Sequence, residues 1–258
     1  MDQLNLLAGK LVVITGGASG IGRAISVAAA RHGAKTVVIA DLRSDPVEGG
    51  IGAEAEIESL GCAVRFQRTD VSKIADLDRL FELTKELGGV DVMVCNAGIA
   101  SPNDGPDMSE TEYRRLLGVN LDGVYFSAQG AGRQMVSQGK SGSIVMTSSM
   151  GGLRGSAFTV VYSTTKGGVC LMAKSLADAL GPKGIRVNAV CPGVIDTHLV
   201  QSSPAVGAMA QQFVARTPLR RLGKPSEIGD VVAWLGSDLS SFVTGANILV
   251  DGGLSSVV

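Results

Sequence analysis

Aromatic side chains are scarce in this chain, at 4%, so any core must be built from Val, Ile, Leu and Ala, within an apolar fraction of 45%. Histidine occurs twice, as His32 and His198, far apart and without ligand-spaced companions, and no metal site is expected. The four cysteines, Cys62, Cys95, Cys170 and Cys191, form no CxxC pair and no disulfide framework. Cys95 and Cys191 sit in apolar strand-like runs and are expected to pack as small hydrophobes. Neither sign of charge is in excess: 23 basic and 24 acidic residues give −1, with no basic block to attract nucleic acid or an anionic membrane. The longest uncharged stretch, residues 197–215, is interrupted by Gln, Ser and Pro and cannot serve as a membrane span. The opening MDQLNLLAGK lacks the basic and apolar regions of a secretory leader, so a cytoplasmic location is expected.

Glycine, in contrast, is abundant. Its 35 copies follow no collagen-like period and point to tight turns or to backbone approaching a ligand. No repeat or linker divides the chain, and residues 1–258 read as a single domain. A short β-branched run, a turn and a helical stretch recur: LVVIT (11–15) before a helix over 19–32, TVVIA (36–40) before one over 49–60, then AVRFQ (63–67), DVMVC (91–95) and GSIVMT (142–147). IRVNAV (185–190) and NILV (247–250) add two later strands, and the longest helix spans 160–180. Such alternation requires parallel βαβ units, and near-continuous apolar strands mean a sheet covered on both faces. The expected fold is an α/β doubly wound sandwich of Rossmann type, with a mostly parallel seven-stranded sheet and ligand at the carboxyl ends of its strands.

The first strand runs into TGGASGIG (15–22). Gly16, Gly20 and Gly22 allow a tight turn, close approach of backbone to a pyrophosphate and close helix–strand packing, and the helix starting near Ser19 aims free N–H groups at phosphate. The same glycines also suit a tight turn with no ligand. Asp41 ends the second strand, 19 residues after Gly22 (41 − 22), where a carboxylate accepts ribose hydroxyls and repels a 2′-phosphate. This favours NAD over NADP, although Arg23 and Arg43 lie near enough to serve a phosphate. The alternative for Asp41 is a plain acidic turn residue. Tyr162 and Lys166 stand one helical turn apart, so their side chains share a face. An ammonium beside a phenol and a positive nicotinamide would both stabilise the phenolate and bring an acid of ordinary pKa ~10 toward the working range. A surface Tyr and a solvated Lys would show the same spacing.

In order, TGxxxGIG at 15–22, Asp41, Asp70-Val71, Asn96-Ala97-Gly98, Asn120, Ser148-Ser149, YxxxK at 162–166 and Pro192-Gly193 resemble the short-chain dehydrogenase/reductase family over essentially the whole chain. The resemblance implies a catalytic set of Asn120, Ser149, Tyr162 and Lys166. Tyr162 would be the general acid or base, and Lys166 would bind the nicotinamide ribose and lower the phenol's pKa. Ser149, 13 residues before the tyrosine (162 − 149), would stabilise charge on the substrate oxygen, and Asn120 would bend its helix to place a water in a proton relay. Gly16, Ser19, Gly20, Ile21, Gly22, Asp41, Leu42, Asp70, Val71, Asn96, Ala97, Gly98, Tyr162, Lys166, Pro192, Gly193, Ile195 and Thr197 would surround the dinucleotide. Bland roles stay open for several of these. Asp70 with Ser72 also reads as a helix start, Asn96 as a tie between strands, Asn120 as a side chain satisfied by core backbone, and Ser148 as a buried hydroxyl bonded to backbone.

Specificity is expected in the loops at 99–108 and 150–160 and in a lid segment at 195–222. Met150, Leu153, Phe158 and Val161 would form an apolar wall, and Val194, Leu199, Val200 and Met209 a lid, unless they serve the core. Arg216, Arg220 and Arg221 would either bind an anionic group or form a solvated turn. A small-molecule ketone or secondary alcohol is the expected substrate, and family resemblance implies a homotetramer. Two other enzyme readings are a 3-oxoacyl-(carrier protein) reductase and a sugar dehydrogenase. The non-enzyme reading is an NAD-binding scaffold or redox sensor.

Overall fold

The computed structural model describes residues 5–101, 104–201 and 204–256, with backbone alone at residues 199, 201 and 204–209. Its seven strands are β1 (Leu11–Thr15), β2 (Thr36–Asp41), β3 (Ala63–Arg68), β4 (Val92–Cys95), β5 (Gly142–Thr147), β6 (Ile185–Pro192) and β7 (Asn247–Val250). They form one sheet in the order β3-β2-β1-β4-β5-β6-β7, and every ladder is parallel. The order reverses between β1 and β4, which opens a crevice at their carboxyl ends.

Side chains alternate between two apolar layers, as the pleat dictates. Val12, Ile14, Val37 and Ile39 face one layer with α1 (Gly20–Arg31), α2 (Ala53–Ser59) and α9 (Pro225–Gly236). Leu11, Val13, Val38 and Ala40 face the other with α3 (Ile74–Glu86), α5 (Gly123–Ser137) and α6 (Val160–Leu180). Small residues let these helices press together: a Cβ on Gly229 of α9 would lie 2.8 Å from the Ala24 carbonyl of α1. The second helix is shorter than the expected 49–60, because Gly49 and Gly50 hold left-handed backbone (φ +76° and +86°) that helix cannot use.

After β4 the chain forms α4 (Glu110–Leu117), a π-helical turn (Gly118–Asp122) and α5. The bend expected at Asn120 is this turn, in which the Gly123 N–H reaches back five residues to the Gly118 carbonyl. Beyond β6, α7 (His198–Gln201) and α8 (Pro204–Arg216) make up the segment before α9. Its two ends are bridged: Asp196 N–H donates to the Gly223 carbonyl at 2.8 Å, and Gly223 N–H to the Val194 carbonyl at 3.0 Å.

Candidate active site

The glycine loop leaves β1 under tight constraint. Gly16 has φ +65°, and a Cβ there would sit 2.9 Å from the Ala97 Cα. A Cβ on Gly22 would lie 1.8 Å from the Gly16 carbonyl, so this glycine is demanded by helix–loop packing itself. Gly20, at φ +53°, meets only Thr197 at 3.8 Å, and Ile21 follows it on the first turn of α1. The start of α1 holds an anion of the protein's own, because Glu48 Oε1 accepts the Gly20 N–H at 2.9 Å. Ser19, at the N-cap, does not cap the helix. Its hydroxyl accepts the Val47 N–H at 2.9 Å. A backbone end that receives a carboxylate in this way suits a phosphate by the same chemistry. A cleft of about 310 Å³ opens beside it, lined by Gly20, Arg23, Glu48, Thr197 and His198 among others.

Asp41, half-buried at the end of β2, accepts the Ala18 N–H at 3.0 Å and the Leu42 N–H at 2.7 Å. It therefore ties the glycine loop to β2 and puts its charge at the edge of the crevice; Leu42 is exposed beside it. Arg23 is engaged elsewhere, donating to the Ile51 carbonyl and to Glu56 at 2.9 and 2.8 Å, while Arg43 is exposed. The Asp70 carboxylate accepts from the Ser72 N–H and hydroxyl at 3.0 and 2.6 Å. It makes a local turn and not a helix start, since α3 has Lys73 at its N-cap. Val71 is buried and fills the notch left by Gly123, whose Cβ would meet it at 2.7 Å.

Asn96 is a clasp. Its amide donates to the Thr15 and Gly16 carbonyls at 3.2 and 3.3 Å, and its Oδ1 accepts from the Thr147 hydroxyl at 3.2 Å, which joins the ends of β1, β4 and β5. Thr15 accepts the Asn96 and Ala97 N–H groups in return. Gly98 leaves room for two buried side chains, because a Cβ there would come within 3.4 Å of Lys166 Nζ and 3.5 Å of Asn120 Oδ1. Asn120 is fully buried and holds both backbone groups of Ile99 at 2.8 Å, the satisfied role left open above. Gly193 follows β6 in contact with Pro192 and Asp251. Ile195 is buried, and Thr197 turns toward the glycine loop.

α6 brings Tyr162 and Lys166 to this edge. Ser149 hydrogen-bonds the Tyr162 side chain, and its Oγ accepts the Gly151 N–H at 3.0 Å. Lys166 Nζ donates to the Thr147 carbonyl at 2.8 Å and lies 5.7 Å from the Tyr162 ring centre. Burial pulls the ammonium down to about 8. Burial also pushes the phenol above its ordinary range, and the Ser149 bond offsets only part of this. Burial thus works against the acidification expected at this phenol. In a buried site, desolvation outweighs an ammonium whose proton is already committed to a carbonyl. Ser148 takes the structural role: it donates to the Lys166 carbonyl at 2.7 Å and touches Cys170 Sγ at 3.1 Å. Cys170 in turn lies 3.8 Å from Cys191, a pairing that the spacing alone does not reveal.

The rim is looser. Val161 belongs to the buried side, whereas Leu153 and Phe158 are exposed, at 44% and 70%. Met150, Val194 and Val200 are half-buried. Pro102, Asn103 and the side chains of Leu199 and Met209 lie outside the described residues. Arg221 is held by Glu227 through two bonds of 2.6 and 2.8 Å, and Arg220 donates to the Ala215 carbonyl, so these two arginines serve the turn. Arg216 is exposed.

A phosphate-receptive helix end and a phenol backed by an amine lie along one sheet edge, and this is the equipment of a dinucleotide-using α/β enzyme. A family model described as Enoyl-(Acyl carrier protein) reductase matches residues 16–255. L-rhamnose 1-dehydrogenase (NAD(P)(+)) of Sphingomonas sp. (strain SKA58) is 40% identical, over 97% of this chain and 98% of its own. The NADP-dependent (R)-specific alcohol dehydrogenase of Lentilactobacillus kefiri is 38% identical, over 97% and 98%. The crystal structure of a short-chain type dehydrogenase/reductase from Mycobacterium marinum superposes with a TM-score of 0.88 at 36% identity, over 98% of both chains. The chain belongs to the short-chain dehydrogenase/reductase family and is an oxidoreductase.

Proposed function

We propose that the protein is an NAD(H)-dependent alcohol dehydrogenase or ketoreductase, interconverting a secondary alcohol and its ketone. The observation that carries this reading is the Ser149–Tyr162–Lys166 arrangement beside the β1/β4 crevice. A bound nicotinamide supplies the hydride for reduction or accepts it in oxidation. The first-turn N–H groups of α1 at Gly20, Ile21 and Gly22 would hold the diphosphate, once Glu48 gives way. Asp41 and Leu42 would border the adenosine ribose, Asp70 and Val71 the adenine, and Asn96, Ala97 and Gly98 the floor. Pro192, Gly193, Ile195 and Thr197 would border the nicotinamide amide.

Tyr162 gives its proton to the alkoxide oxygen during reduction, or takes it from the alcohol during oxidation. Ser149 donates a hydrogen bond to that oxygen and holds it against the phenol. Lys166 presents its ammonium to the nicotinamide ribose, and Asn120 keeps the π-helical turn that would seat a relay water. Charge at Asp41 supports NAD, although the relatives' names include NADP. A sugar substrate is the second reading, favoured by the likeness to a rhamnose dehydrogenase. Apolar side chains exposed on α5 (Tyr125, Phe126), on α6 (Leu171) and before β7 (Phe242) support a homotetramer. No helix among the described residues is long and apolar enough to cross a membrane, which is compatible with a cytoplasmic location.

Tyr162→Phe tests the reading. Turnover across a panel of ketones, secondary alcohols and sugars should fall about 10²–10⁴-fold, with the NADH dissociation constant unchanged within about twofold. Tight NADH binding by a wild type that turns over nothing would favour a scaffold instead.

A further inference from the structure

Helix first turns carry free N–H groups that the N-cap side chain ordinarily satisfies. At α6 the N-cap is Thr159, yet it makes no capping bond, and its hydroxyl lies against Ser163 at 2.9 Å. The bonds come from Asp104, in the loop after β4. Oδ1 accepts the Val161 N–H at 2.6 Å and Oδ2 the Tyr162 N–H at 2.8 Å. Asp104 is only 5% exposed, and its charge meets two short amide bonds and the positive end of a 21-residue helix.

A threonine or aspartate at position 159 could have capped the helix locally. What a local cap cannot do is join the loop of residues 99–108 to the turn that carries the phenol. Tyr162 is the third residue of α6, within the part of a helix that frays most readily. Asp104 grips that residue's own amide across 58 positions of sequence. The start of the loop is held by Asn120 through Ile99, so the loop is tied to catalytic elements at residues 99 and 104.

We propose that Asp104 is a positioning residue, a tertiary cap that locks the 99–108 loop onto the first turn of α6 and thereby sets the placement of the Tyr162 hydroxyl against Ser149 and the substrate. The inference rests on the dehydrogenase reading above. Misplacement of a reacting group by ~1 Å costs on the order of 10² in rate, so loss of the tie should appear in kcat more than in cofactor binding.

The test uses four full-length proteins: wild type, Asp104→Ala, Asp104→Asn and the double variant Asp104→Ala/Thr159→Asp. Asp104→Ala should lower kcat about 10- to 100-fold and leave NADH affinity within about twofold. Asp104→Asn, keeping one acceptor, should fall between it and wild type. In the double variant the new local carboxylate should restore the melting temperature and slow amide exchange at Val161 and Tyr162, while kcat stays down at least about tenfold. Full recovery of kcat there would reduce Asp104 to a helix cap and overturn the proposal. Hydrogen exchange across residues 99–108 gives a readout free of turnover: it should quicken in Asp104→Ala and remain quick in the double variant. Unchanged exchange in that loop would also overturn the tie. A wild type inert on the whole panel, with loop exchange responding as expected, would instead sink the dehydrogenase reading and leave the tie standing.

Discussion

The two walls of the crevice are built differently. On the side of the glycine loop the polar groups are already claimed: Asn96 joins three strand ends, Asp41 holds the glycine loop, and Gly22 sits where even one added carbon would collide with backbone. On the rim side, Phe158 and Leu153 are exposed and touch the fold lightly. The first wall is fixed by backbone and tolerates little. The second is fixed by side chains and is free to vary. Rigid clasping of this kind pre-organises a site, so that little ordering is left for binding to provide.

Four substitutions would sharpen or break that contrast. Gly22→Ala should be the most damaging, since its Cβ would lie 1.8 Å from the Gly16 carbonyl and 2.6 Å from Asn96 Nδ2. A loss of about 3 kcal/mol in urea unfolding is expected, with NADH binding abolished; a stable, binding-competent variant would refute the packing role. Asn120→Ala strands the Ile99 N–H and carbonyl in a buried place and should cost about 2 kcal/mol, with exchange quickening across residues 118–123. Native-like protection there would show that the π-helical turn does not depend on this side chain.

Lys166→Met probes the buried charge. Lys166 titrates at about 8 in the fold against an ordinary 10.5, so between these values the folded state binds fewer protons than the unfolded one. The Lys166 contribution to stability should therefore rise with pH across that window, by at most about 1.4 kcal/mol per pH unit. Burial also raises the Cys62 and Cys95 thiols from their ordinary 9.0 and the Tyr162 phenol from 10.0, and these groups oppose the trend above those values in both proteins alike. Wild type should gain stability relative to Lys166→Met across that window; parallel stability curves for the two proteins from pH 8 to 10 would count against a desolvated ammonium. The smallest effect belongs to Phe158→Ala. Stability should stay within about 0.5 kcal/mol while KM values shift between bulky and small substrates, and equal KM changes for all of them would remove Phe158 from the rim.

Much of the first wall was legible beforehand because it is written locally. The β-branched runs placed all seven strands, and the order of short motifs led to the glycine loop, Asn96 and the tyrosine–lysine pair. Asn in a helical pattern pointed to the bend that is now a π-helical turn. What escaped was carried by contacts between distant segments. Nothing near Asp104 in sequence announces that it caps a helix 57 residues on. Glu48 lies just ahead of the helix expected over 49–60, in a stretch that carries no pattern, yet it folds back onto Gly20. The direction of the phenol's shift depends on burial depth, which periodicity does not report.

The bridge between Ile195 and Gly223 has a consequence for how such proteins diversify. Entry to and exit from the intervening segment lie side by side, stapled by two backbone bonds at its base. Chain inserted beyond that staple adds closure entropy only logarithmically, about 0.6 kcal/mol for each doubling of length. The sheet would not register the change. Evolution, or an engineer, can therefore exchange this segment as a cassette, with β6 and α9 serving as fixed sockets.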